Sequence, residues 1–169
     1  VGESLVETEI LDLIEAQENP TIATYAKTGE VHLRVTARAS DEKEARKLLK
    51  PMLKELKKRF GSHIYATNEA TTLEESIVAL LKEKNLTLTT AESCTGGMLS
   101  ARLTNVPGVS EVFKQGFVAY SNRAKRKLLD VKKNTLKTYG AVSEKTAKEM
   151  AKNGAFITGS DVCVSVTGI

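Results

Sequence analysis

Histidine is nearly absent from this chain, and where it falls matters more than how little there is. The two histidines, His32 and His63, both lie in the first 63 positions of 169, so no Ser-His-Asp triad can form within the remaining stretch. Cysteine is equally sparse: Cys94 and Cys163 stand far apart and make no C-x-x-C pair, which with so few histidines leaves no zinc cluster. No apolar run approaches the roughly 20 residues that a membrane span requires, and the amino end lacks the basic-then-apolar order of a secretory signal. The expected location is therefore cytoplasmic, with no membrane partner. Neither G-x-G-x-x-G nor G-x-x-x-x-G-K-[ST] occurs, which removes the strongest dinucleotide and nucleoside-triphosphate signatures. No cofactor and no structural metal are expected.

What is present describes an ordinary globular chain, 41% hydrophobic and 27% charged, long enough for two small domains. The net charge of +4 is uneven: residues 1–68 carry 11 basic and 11 acidic side chains, residues 69–169 carry 14 and 10. The excess gathers around Arg123, Lys125, Arg126, Lys127, Lys132, Lys133 and Lys137, a cluster that can attract phosphate or nucleic acid but is by default a solvated helix face. The chain opens at Val1 without a methionine and stops at Ile169 after a strand-like run, so it is expected to be a piece of something longer.

Val6, Ile10, Leu13 and Ile14 recur at helical spacing and predict a first helix that ends near Pro20. The period then changes to two. Residues 21–26 and 31–37 read as strands joined by a turn at Lys27, Thr28, Gly29 and Glu30. A second helix opens near Ser40 and buries Ala45, Leu48, Leu49, Met52, Leu53, Leu56 and Phe60, with Pro51 expected to kink or divide it. Residues 63–66 are expected to form a third strand, completing a small α+β unit in the order α-β-β-α-β over residues 1–68.

Residues 67–72 read as a linker, and Thr72 with Glu75 forms a capping-box pattern at the start of the next helix. From there strands and helices alternate: a strand into Thr90, a helix from Gly97, a strand over 116–119, helices over 122–129 and 143–156, and a strand over 162–166. That pattern predicts, for residues 69–169, an α/β layered domain with a mainly parallel sheet, in which ligands collect at the carboxyl ends of strands. Ser93, Tyr120 and Thr167 each stand at such an end.

The stretch Ala91, Glu92, Ser93, Cys94, Thr95, Gly96, Gly97 turns a strand into a helix, a junction able to present a hydroxyl nucleophile or cradle an anion. A nucleophilic Ser93 needs a proton acceptor, and the candidates are Tyr120 and Lys125. Lysine serves when burial or a neighbouring cation such as Arg123 or Arg126 keeps its neutral form available. Cys94 is a competing nucleophile, since a helix amino terminus favours the thiolate.

The segments TAESCTGG (90–97), GFVAYSN (116–122), GAVS (140–143) and SVTGI (165–169) together resemble the carboxy-terminal domain of the competence/damage-inducible protein A (CinA) family. GESLVETE (2–9) resembles the opening of that family's KH-like middle domain. The first unit has no G-x-x-G loop and balanced charge, so nucleic-acid binding by it is not expected. The resemblance implies a nicotinamide-nucleotide amidase, which converts nicotinamide mononucleotide to nicotinic acid mononucleotide and ammonia in pyridine nucleotide salvage. It carries the family's catalytic serine, tyrosine and lysine onto Ser93, Tyr120 and Lys125. Thr95, Gly96, Gly97, Arg123, Thr167 and Gly168 are the matching candidates for substrate binding, with backbone N–H groups near 95–97 on the oxyanion and Arg123 on the phosphate. It further implies a homo-oligomer, chain continuing past Ile169, and a missing amino-terminal domain similar to molybdopterin-binding proteins. Two other readings stand beside the amidase: a competence-associated adaptor for a recombinase with a vestigial site, and nucleic-acid binding through the basic cluster.

Overall fold

The computed structural model describes residues 2–169. It divides into two compact units, one ending at Thr67 and the other running from Asn68 to Ile169.

The first unit is built from α1 (Glu3–Glu15), β1 (Thr21–Lys27), β2 (Glu30–Thr36) and α2 (Glu42–Phe60). The strands form an antiparallel hairpin that pairs Tyr25 with His32 and Lys27 with Glu30. Val6, Ile10, Ile22, Leu56 and Phe60 make its core. Arg59 at the end of α2 ties the helices together, donating to Asp12 Oδ1 at 2.5 Å and to Glu55 Oε1 at 3.0 Å.

Two expectations for this unit need correction. The second helix is not divided at Pro51: it runs as one element from Glu42 to Phe60. Pro51 and Lys47, whose carbonyl loses its helical partner, are both on the exposed side, where water can take the freed bond. Residues 63–66 are not a strand: 61–63 form a single 3₁₀ turn and the described sheet of this unit has two strands. Side chains hold this segment instead, with Ile64 packed on the core and the Tyr65 hydroxyl donating to Glu30 Oε2.

The second unit contains α3 (Leu73–Glu83), β3 (Leu88–Glu92), α4 (Met98–Thr104), β4 (Phe113–Val118), α5 (Asn122–Leu129), α6 (Lys133–Tyr139), α7 (Glu144–Thr158) and β5 (Val162–Val166). The Thr72–Glu75 capping box forms: Glu75 N–H donates to Thr72 Oγ1 and Thr72 N–H to Glu75 Oε2. The three strands are parallel in the order β4-β3-β5. Apolar clusters cover both faces of the sheet, one around Val78, Leu88 and Leu103 and the other around Ala91, Leu129 and Met150. The middle strand β3 is therefore buried along its whole length, and its carboxyl end delivers Ser93 to the interior of a layered α/β unit. Helix α6 was not legible in the sequence, because residues 133–139 carry no apolar stripe. Its Thr135 is buried and donates to Glu149 Oε1 at 2.6 Å.

Candidate active site

Past Glu92 the chain leaves the sheet in a tight turn. Ser93 N–H still donates to the Val166 carbonyl of β5 at 2.9 Å, after which Gly96 N–H closes on the Ser93 carbonyl and Met98 N–H on the Thr95 carbonyl. Gly96 and Gly97 take φ of +58° and +103°, backbone that a side chain would resist, which explains the paired glycines.

Lys125 approaches from α5, whose start is capped by Ser121 accepting from Ala124 N–H at 3.0 Å. Its Nζ lies 2.7 Å from Ser93 Oγ and donates to the Ala119 carbonyl at 3.0 Å. Ser93 is 5% exposed and Lys125 only 1%. Burial holds the amine below the ordinary lysine value, the nearby Cys94 thiol acting weakly in the other direction. Among the described residues no carboxylate pairs with this amine. A lysine kept partly neutral within hydrogen-bond reach of a serine is the arrangement that makes the serine nucleophilic.

The other candidates are distributed differently. Tyr120 has its side chain 75% exposed and makes no hydrogen bond to Ser93 or Lys125. The chain alternates at the end of β4, so Phe117 and Ala119 point into the core while Val118 and Tyr120 point out. The contact with Lys125 falls to the backbone of Ala119, one residue earlier. Cys94 is exposed. Arg123 is also exposed, in the first turn of α5. The Gly97 N–H is occupied by Glu92 and the Gly96 N–H by Ser93, which leaves the N–H groups of Cys94 and Thr95 as those without an acceptor in the turn. Thr167 spends its hydroxyl on the Ala141 carbonyl at 2.8 Å. Gly168 lies against the turn, since a Cβ there would sit 3.2 Å from Cys94 Sγ.

Sequence reading missed Glu92. It is fully buried, yet its carboxyl is held down at about 2: burial alone would raise it, and hydrogen bonds from the Ser100 hydroxyl and the Ser100 and Leu99 N–H groups, helped by the nearby Thr95 hydroxyl, outweigh that. The Thr95 hydroxyl itself is buried without a well-formed hydrogen bond, so its share of that effect is through proximity. The available signal was an acid closing an otherwise buried strand pattern just before a helix.

Fold and site together define a two-unit protein whose α/β unit carries a buried serine–lysine pair at the end of its central strand. Residues 70–169 match the CinA C-terminal domain and residues 1–66 the damage-inducible protein CinA KH domain. The chain belongs to the CinA family. It is 53% identical over all 169 residues to a CinA-like protein of Dictyoglomus turgidum and 52% identical to a putative competence-damage inducible protein of Clostridium novyi, spanning 41% of the length of each. Among solved structures it resembles the competence/damage inducible protein CihA of Agrobacterium tumefaciens, with a TM-score of 0.56 and 43% identity over 57% of this chain and 59% of that one. A competence-damaged protein (CinA) superfamily member from Escherichia coli gives a TM-score of 0.56 and 35% identity over 64% and 66%.

Proposed function

We propose that the second unit is an amidase that hydrolyses the carboxamide of nicotinamide mononucleotide to nicotinic acid mononucleotide and ammonia. The observation that carries this reading is the 2.7 Å approach of Lys125 Nζ to Ser93 Oγ, both side chains being buried. Ser93 Oγ attacks the carboxamide carbon while its proton passes to neutral Lys125. Lys125 returns that proton to the departing nitrogen, which leaves as ammonia, and an ester remains on Ser93. Water, giving its proton to Lys125, then cleaves the ester, releasing the carboxylate as Ser93 regains its proton. The Cys94 and Thr95 N–H groups are assigned to the oxyanion. Arg123, exposed and close in sequence to Lys125, is assigned to the substrate phosphate. Thr167 fixes the loop at the end of β5 through Ala141, and Gly168 keeps the space beside Cys94 open. Tyr120 is assigned to the substrate-bound site as an exposed ring over the pyridine, and proton transfer to Lys125 alone.

The test is ammonia release from nicotinamide mononucleotide by the purified protein. Ser93→Ala and Lys125→Ala should each cost about 1,000-fold or more, and Cys94→Ala should keep most activity. Loss in Cys94→Ala with activity kept in Ser93→Ala would make this a cysteine amidase instead.

A further inference from the structure

The nucleophile turn rests on a buried acid that the reaction above leaves unused. Glu92 Oε2 accepts from Gly97 N–H at 3.1 Å and Leu99 N–H at 3.0 Å, and Oε1 accepts from Ser100 N–H at 2.8 Å and the Ser100 hydroxyl at 2.7 Å. Every donor lies on the far side of the turn that begins at Ser93. One side chain thus joins the end of β3 to the start of α4 and closes the loop between them. A second layer braces it: Ser100 Oγ is 2.7 Å from Thr90 Oγ1. Gly116 on β4 leaves room for this, since a Cβ there would lie 2.5 Å from Ser100 Oγ.

An acid beside a nucleophile invites a proton-transfer role, but both oxygens are committed to α4 and neither bonds Ser93 or Lys125. By filling the amino end of α4, the carboxylate also withdraws those N–H groups from any substrate anion. What the turn has left to offer is Cys94 N–H, Thr95 N–H and the buried Thr95 hydroxyl.

We infer that Glu92 is the positioning residue of the nucleophile turn: its carboxylate fixes the loop so that Ser93 Oγ meets Lys125 while the Cys94 and Thr95 N–H groups stay available to the reacting carbonyl oxygen. This rests on the amidase reading of the same site for its substrate.

The experiment compares wild type with Glu92→Gln and Ser100→Ala by two readouts. One is turnover of nicotinamide mononucleotide across pH; the other is the rate at which a fluorophosphonate probe labels Ser93, followed by mass spectrometry. Glutamine keeps one acceptor oxygen and sets an amide NH₂ against the remaining N–H donors. In Glu92→Gln, kcat and the labelling rate should both fall about 100-fold, with KM within about threefold and the acid limb of the pH profile unmoved. Ser100→Ala removes one of the four bonds, and a smaller loss of about tenfold with the same signature is expected; it decides the matter if Glu92→Gln does not fold. An unchanged labelling rate, a shifted acid limb, or a loss that only tracks the folded fraction by circular dichroism overturns the inference. If wild-type Ser93 is labelled but nicotinamide mononucleotide is not turned over, the substrate assignment alone fails and the labelling ratio judges Glu92. An unlabelled Ser93 in wild type overturns both.

Discussion

Lys125 Nζ sits 2.7 Å from Ser93 Oγ and 3.0 Å from the Ala119 carbonyl, and it has no other hydrogen-bond partner among the described residues. A charged ammonium has three protons to satisfy and finds two acceptors there. The neutral amine, donating to Ala119 and accepting from Ser93, also leaves one N–H unpaired, but it avoids burying a charge without a counter-charge. The geometry therefore suits the neutral form, in line with the direction in which burial moves the amine.

Activity should follow that titration. The logarithm of kcat/KM should rise with pH along an acid limb whose midpoint lies below the ordinary lysine value of about 10.4. Stability carries the same sign. The folded-state value is lower than the unfolded one, so the unfolded chain holds the extra proton between the two values and stability increases as pH rises through that window. Lys125→Met should remove both the activity and that rise, which urea unfolding at a series of alkaline pH values measures. An acid limb at the ordinary lysine value would show that burial does not tune this amine.

Glu92 acts on stability from the opposite side. Its folded value of about 2 lies below the ordinary 4.5, so its contribution is complete above the unfolded value and disappears as pH falls from about 4.5 toward 2. The span corresponds to stability on the order of 3 kcal/mol. Glu92→Gln should lower stability at neutral pH by an amount of that order and flatten the acid slope of the second unit. A variant that keeps the wild-type slope would place the acid sensitivity elsewhere.

Tyr120 separates two roles that the sequence could not. With its hydroxyl not hydrogen-bonded to Lys125 and its ring exposed, Tyr120→Phe should retain activity within about threefold, whereas Tyr120→Ala should raise KM about tenfold through loss of ring contact. A collapse of kcat in Tyr120→Phe would restore the hydroxyl to proton transfer.

The parts legible in the sequence were those governed by local chemistry. Helix α5 and strand β5 fall where the patterns placed them, because Ser121 caps one and an alternating apolar run makes the other. Ser93 and Lys125, 32 positions apart in the chain, lie 2.7 Å from each other in the structure. What was not legible depends on long-range packing. Nothing local shows that Glu92 is buried with four donors, since glutamate in a strand reads as an exposed residue. Nothing local shows that Tyr120 points outward, because a shift of one residue reverses a strand's faces. Residues 63–66 have strand-forming composition but lack a partner edge, and they are held by Ile64 and Tyr65 side chains instead.

The most direct measurement is mass spectrometry of protein quenched in acid during turnover of nicotinamide mononucleotide. A pyridine-carboxyl ester on Ser93 is expected, present in Cys94→Ala and absent in Ser93→Ala. The same acyl group on Cys94, or ammonia release with no acylated protein under any quench, would contradict the assignment of Ser93 as the nucleophile.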